Sequence, residues 1–136
     1  MTPQQVKLVA DSFHKILPIA GLATDLFYDR LFEIAPETRT LFSNDLNAQK
    51  KKFIAMLSAV VTGLHDFNRI APIVEDLGIR HAAYGVVAKH YEPFGVALLD
   101  ALEQTLGAEF TPQVKAAWAE AYTTLSDTMV PPKVAC

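Results

Sequence analysis

Apolar residues recur three and four positions apart along nearly the whole chain, and no stretch alternates at period two over a strand's length. This confines the chain to the all-α class, with six or so helices and no internal repeat. Thr2-Pro3-Gln4-Gln5 has the form of a helix start: Thr2 as N-cap, Pro3 at the first helical position, Gln5 closing a capping box. Val6, Val9, Phe13, Ile16, Leu17 and Ala20 then mark one face, with Pro18 expected to bend or end the helix near its last turn and Gly21 assisting. Leu22, Leu26, Phe27, Leu31 and Ile34 mark a second helix, with Tyr28 and Phe32 beside the stripe. Pro36 opens a short turn closed by Leu41 and Phe42, and 43–47 is a polar linker rich in N-cap residues.

A third, strongly amphipathic helix is expected from Gln49 to Leu64, its stripe formed by Phe53, Leu57, Val60, Val61 and Leu64, with Lys50, Lys51 and Lys52 near its start. Ile70 to Val87 reads as a further helical region, interrupted by Gly78 and ended near Gly85. Pro93 suits the first turn of the next helix, which carries Val96, Leu98, Leu99, Leu102 and Leu106 before a C-cap at Gly107. Thr111-Pro112 repeats the opening device. Val114, Ala117, Trp118, Ala121, Tyr122, Leu125 and Met129 supply the last face, and Pro131-Pro132 stop it.

Length bounds the rest. The 136 residues suit a single domain, 1–136, with 131–136 expected as a flexible tail. The chain is 51% hydrophobic, so it must be very well packed or packed around something apolar. A formal charge of −3 implies no strongly basic face and argues against nucleic acid as a partner. Cys136 is the only cysteine, so no disulfide can form within the chain, which suits a reducing compartment. The first residues lack the layout of a signal peptide, and no apolar run approaches the ~18 residues of a membrane span. A cytoplasmic protein is the expectation.

The singular residues carry the chemistry. There are four histidines: His14, His65, His81 and His90. One imidazole suffices for an iron whose other four nitrogens come from a porphyrin, whereas a zinc site needs several close protein ligands. No His-x-x-x-His or Cys-x-x-Cys pair exists to hold a metal by protein groups alone.

The order Phe27-Tyr28, Pro36, Leu41-Phe42, Gln49, Leu77-Gly78-Ile79-Arg80-His81, Tyr84-Gly85-Val86 and His90-Tyr91 resembles bacterial globins. It is most similar to single-domain globins of the Hell's Gate type, then to the globin half of flavohaemoglobins, with neuroglobins more distant. The resemblance runs from about Phe13 to Met129. It implies the globin fold, a three-on-three helical sandwich around haem b (iron protoporphyrin IX). His81 would be the proximal iron ligand, its other ring nitrogen donating to a nearby carbonyl or side chain. Phe42 would pack flat on the haem, Tyr28 and Gln49 would enter the distal pocket, and Phe53, one turn after Gln49, would wall it. Val86 and Tyr91 would complete the haem surroundings.

Dioxygen held at such a haem carries partial negative charge, to which a phenol O–H and an amide N–H both donate. The resemblance therefore implies a protein that binds dioxygen, nitric oxide or another small diatomic ligand, for storage, delivery or scavenging. The same residues would serve a nitric oxide dioxygenase. Flavohaemoglobins carry a reductase after the globin, so the electron donor here would be a separate protein. Their proximal glutamate would fall near Lys133, beyond Pro131-Pro132, which leaves the network with Tyr91 incomplete. Phe53 stands where these relatives usually have leucine, narrowing access to the iron. Without a haem, Phe42, Phe53 and Trp118 read as ordinary core, Gln49 as a solvated first-turn residue and Lys50-Lys51-Lys52 as a solvated face. With one, a lysine of that run could pair with a haem propionate.

Overall fold

The computed structural model describes residues 1–42 and 45–130. Among them six α-helices follow one another: α1 (Pro3–Ile16), α2 (Ala20–Ile34), α3 (Leu46–Gly63), α4 (Phe67–Ala83), α5 (Tyr91–Leu106) and α6 (Pro112–Met129). Short 3₁₀ turns join most of them. No helix among the described residues is long and apolar enough to cross a membrane. The tail expected at 131–136, Cys136 included, lies outside the described residues, as do Ser43 and Asn44.

Local chemistry explains three of the six helix starts. The Thr2 hydroxyl accepts the Gln5 N–H at 3.1 Å, and the Gln5 side chain accepts the Thr2 N–H at 3.0 Å, completing the capping box. Thr111 caps α6 by accepting the Val114 N–H at 3.2 Å. α3 begins at Leu46, ahead of the Gln49 start expected, because Asp45 caps it: its Oδ1 accepts the Ala48 N–H at 3.1 Å. Gly107, with φ at 57°, ends α5 as expected.

The break at Pro18 falls as expected, whereas the expectations for Gly21 and Gly78 are not met. The break after α1 falls on the 3₁₀ turn Leu17–Ile19, which holds Pro18, and Gly21 lies inside α2. α4 runs from Phe67 to Ala83 without interruption, through both Pro72 and Gly78. Gly78 is a point of close approach: a Cβ there would lie 2.1 Å from the Met129 carbonyl oxygen, so the missing side chain admits the end of α6.

The helices form two layers of three. α1, α3 and α4 make one layer, and α2, α5 and α6 the other, with α1 and α4 on α6 as the main crossings. The core lies between them, built on Val9, Leu31, Val74, Ala117 and Trp118. The Trp118 indole N–H donates to the Ser12 hydroxyl at 2.8 Å, and that hydroxyl donates to the Leu8 carbonyl at 2.7 Å. The one polar atom of the buried indole is thereby satisfied, as burial of a tryptophan demands.

Candidate functional site

Tyr28 is the centre of an aromatic cluster. It lies on the buried side of α2 with Thr24, Phe27 and Leu31, and only 2% of its surface is exposed. The turn Pro36–Leu41 folds the chain back so that the Phe42 ring meets Tyr28 edge-on at 5.3 Å. α3 supplies Phe53, whose ring lies 4.6 Å from Phe27 and 6.1 Å from Tyr28. Phe32 closes the ring of neighbours at 5.9 Å. Offset and edge-on contacts of this kind each add about 0.5–1.5 kcal/mol beyond the area they bury.

Burial pushes the Tyr28 phenol up to about 12, because the phenolate would lose its hydration. A hydrogen bond with the Gln49 side chain pulls the other way. Gln49 sits one turn before Phe53 on the same helix and is half-buried, so it is not the solvated first-turn residue that its position alone suggests.

His81 stands apart from this cluster, in the last turn of α4. Its Nδ1 lies 2.7 Å from the Leu77 carbonyl. A carbonyl only accepts, so Nδ1 carries the proton and donates it, leaving the Nε2 lone pair free in the neutral ring. The His81 carbonyl accepts the N–H groups of Tyr84 at 3.1 Å and Val86 at 3.0 Å, which draws half-buried Val86 back beside the histidine. Gly85 makes that turn with φ at 100°, a left-handed value that other residues rarely adopt.

The other histidines are placed differently. His90 is buried and its Nδ1 accepts the Val87 N–H at 3.0 Å, so that lone pair is spent on capping a turn. His65 donates from Nδ1 to the Thr62 carbonyl at 2.9 Å but is exposed, and so is His14.

Tyr91 begins α5 and is half-buried, which raises its phenol. Its carbonyl accepts a hydrogen bond from the Tyr122 hydroxyl. Among the described residues no hydrogen bond joins the Tyr91 phenol to His81. Tyr122 packs against Gly95, where a Cβ would lie 2.7 Å from the tyrosine ring, and its own phenol is also raised by burial. The contact of the Tyr122 hydroxyl was hidden in an apolar stripe, and that of Leu77 in its backbone, which no side-chain pattern reports.

The residues present suit a porphyrin. Ile73, Leu77, His81 and Tyr84 are spaced to share one face of α4, yet Ile73 is 64% exposed and Tyr84 72%. Apolar side chains left in the open beside a histidine with a free Nε2 make a surface for a flat apolar ligand that also needs a nitrogen. Lys50 is already engaged, its ammonium 2.6 Å from the Asp25 carboxylate, while Lys51 and Lys52 are exposed.

Comparison with known proteins adds context to this geometry. The sequence pattern of the family described as Globin matches residues 25–129. A flavohemoprotein of Bacillus subtilis is 31% identical over 110 residues, covering 79% of this chain and 28% of its own length. One from Chromobacterium violaceum is 29% identical over 134 residues, covering 96% of this chain and 33% of its own. The chain thus spans about a third of the length of these curated relatives. An engineered carbene transferase, described as a candidate nitric oxide dioxygenase from Rhodothermus marinus, superposes with a TM-score of 0.82 at 28% identity, over 93% of this chain and 89% of that one. A bacterial globin from Campylobacter jejuni superposes at 0.83 with 21% identity, over 95% and 94%, which speaks to the fold alone.

Proposed function

The chain belongs to the globin family, and on that footing we propose that it binds dioxygen, and nitric oxide, at a penta-coordinate ferrous haem b. His81 would hold the iron, and Tyr28 and Gln49 would donate hydrogen bonds to the ligand. The observation that carries this reading is the bond from His81 Nδ1 to the Leu77 carbonyl, 2.7 Å long, because it fixes the ring and its tautomer and leaves Nε2 as a ligand.

Haem, when bound, supplies an iron with one open position for a diatomic ligand. The chain's own residues do the rest. Phe42 and Phe53 exclude water from the space around Tyr28 and give it a low dielectric, where hydrogen bonds are stronger. A phenol raised to about 12 stays protonated at neutral pH, so Tyr28 is available as a donor. Gln49 contributes a second donor, and its amide is too weak a ligand to fill the open position. Each donor is worth about 1–1.5 kcal/mol, or about tenfold in affinity. Val86 and Tyr91 would line the His81 side. Residues 1–136 would form one globin domain, placed in the cytoplasm and served by a reductase.

Visible spectra of the ferric, ferrous and oxygenated forms test this reading. His81→Ala is expected to lose haem or change its spectrum grossly, and Tyr28→Phe to release oxygen about tenfold faster, for one donor lost. A protein that gains no haem absorption after haemin is added would sink the proposal. Unchanged release from Tyr28→Phe would remove Tyr28 from it.

The description of the Rhodothermus relative favours a second reading, oxidation of nitric oxide to nitrate by bound dioxygen, with one electron per turnover from a reductase. Nitrate formed with a physiological reductant decides it. If re-reduction is slower than loss of the ferric form, the enzyme reading fails.

A further inference from the structure

An ion pair joins the two helices that carry Tyr28 and Gln49. The Lys50 ammonium lies 2.6 Å from the Asp25 carboxylate and donates to it. Lys50 follows Gln49 directly on α3, and Asp25 lies three residues before Tyr28 on α2. This ion pair therefore ties together the helical turns that carry Tyr28 and Gln49, at the rim of the aromatic cluster.

We propose that the Asp25–Lys50 ion pair is a clasp that sets how far Gln49 reaches toward Tyr28, and so how well Gln49 can serve as a donor. Both are positioning residues. The inference rests on the reading of Gln49 given above.

The start of α3 needs such a clasp. Its first turn contains no acidic residue, and beyond the Asp45 cap it has little to anchor it. The Gln49 N–H reaches the Asp45 carbonyl at 3.3 Å, a long bond. The ring contact of Phe53 with Phe27 holds the helix only one turn later. Three consecutive lysines near the positive end of a helix also repel it and one another. Of the three, Lys50 alone is turned inward, its side chain 23% exposed, and Asp25 answers its charge from the neighbouring helix. An ion pair half open to water adds little stability, but here it limits where the helix start can sit, and the flexible Gln49 side chain depends on that placement.

The test uses the haem-loaded protein, with Asp25→Asn, Lys50→Met and the charge-swapped pair Asp25→Lys with Lys50→Asp. In the ferrous carbon monoxide form, the wild type is expected to show a nuclear Overhauser contact from the Gln49 side-chain amide to the Tyr28 ring. Each single variant is expected to weaken that contact and to speed amide exchange at Gln49 and Lys50 about threefold. The swap should restore both. Raising salt to about 0.5 M should loosen the wild type and leave the single variants unmoved. Oxygen release should rise about threefold in the single variants and gain nothing further when Gln49→Ala is already present. Single variants with wild-type contact and exchange, or a swap no better than they are, would overturn the clasp. If Gln49→Ala itself leaves oxygen release unchanged, the donor reading fails, while the contact and exchange data still decide the clasp.

Discussion

Tyr28 touches four phenylalanine rings and is all but sealed from water, whereas His81 is half-buried and held by a single backbone carbonyl. The first is fixed by packing that exists before any ligand arrives. The second is oriented by its own helix, on a face whose apolar side chains stand largely in solvent. The difference teaches where ligand binding can contribute stability. Around Tyr28 little surface remains to be covered, while beside His81 a bound porphyrin would bury Ile73 and Tyr84 at about 25 cal/mol per Å². On the proposed reading the Tyr28 side would set selectivity, and the His81 side would gain most from the cofactor.

Perturbing the two sides separately sharpens the contrast. The largest effect is expected on the His81 helix, from Gly78→Ala. The new Cβ would collide with the Met129 backbone, which cannot rotate away, so about 3 kcal/mol or more should be lost in urea unfolding, together with faster haem loss. Wild-type stability and haem retention would show that α4 does not depend on this approach to α6.

Next comes Phe53→Ala in the Tyr28 cluster. A half-buried phenylalanine with two aromatic neighbours should cost about 2–3 kcal/mol on removal, below the range for a fully buried one. Haem retention should change less than in Gly78→Ala. If it changes more, the division drawn between the two sides is wrong.

Alkaline pH gives a third comparison. Tyr28 titrates near 10 when unfolded and about 12 when folded. The folded protein therefore binds more protons between those values. The corresponding stability is complete below pH 10 and is lost as pH rises to about 12, a total of about 3 kcal/mol. Tyr122 is raised in the same direction. Tyr28→Phe should flatten the decline measured by denaturant unfolding from pH 9 to 12, and an unaltered slope would mean that the phenol is not desolvated. The smallest effect is expected from Asp45→Ala, about 1 kcal/mol for a lost cap, read as faster amide exchange confined to the first turn of α3.

Much of this molecule was legible locally. Thr2 with Gln5, and Thr111 before Pro112, announce helix starts because a cap is a contact among residues three apart, and the structure repeats it bond for bond. The face carrying Phe53 and Leu57 was equally visible, since a helix that packs must repeat its apolar residues. Of the candidate residues, Tyr28, Phe42 and Phe53 come together through ring contacts, and Gln49 lies half-buried one turn before Phe53 on α3. His81 and Val86 form a second group at the end of α4, and Tyr91 a third place at the start of α5.

Sequence alone determined the all-α class and the helix caps at Thr2 and Thr111, because each depends on residue type and on neighbours a few positions away, while a nitrogen ligand and a pair of donors entered as what the resemblance implies. Only the tertiary structure decided that Gly78 is a contact with α6 and no interruption, that Lys50 is bound to Asp25 and not free for a propionate, and that Tyr122 answers the carbonyl of Tyr91. Those outcomes depend on which surfaces meet across the two layers, and close packing between distant helices leaves no periodic trace in either one.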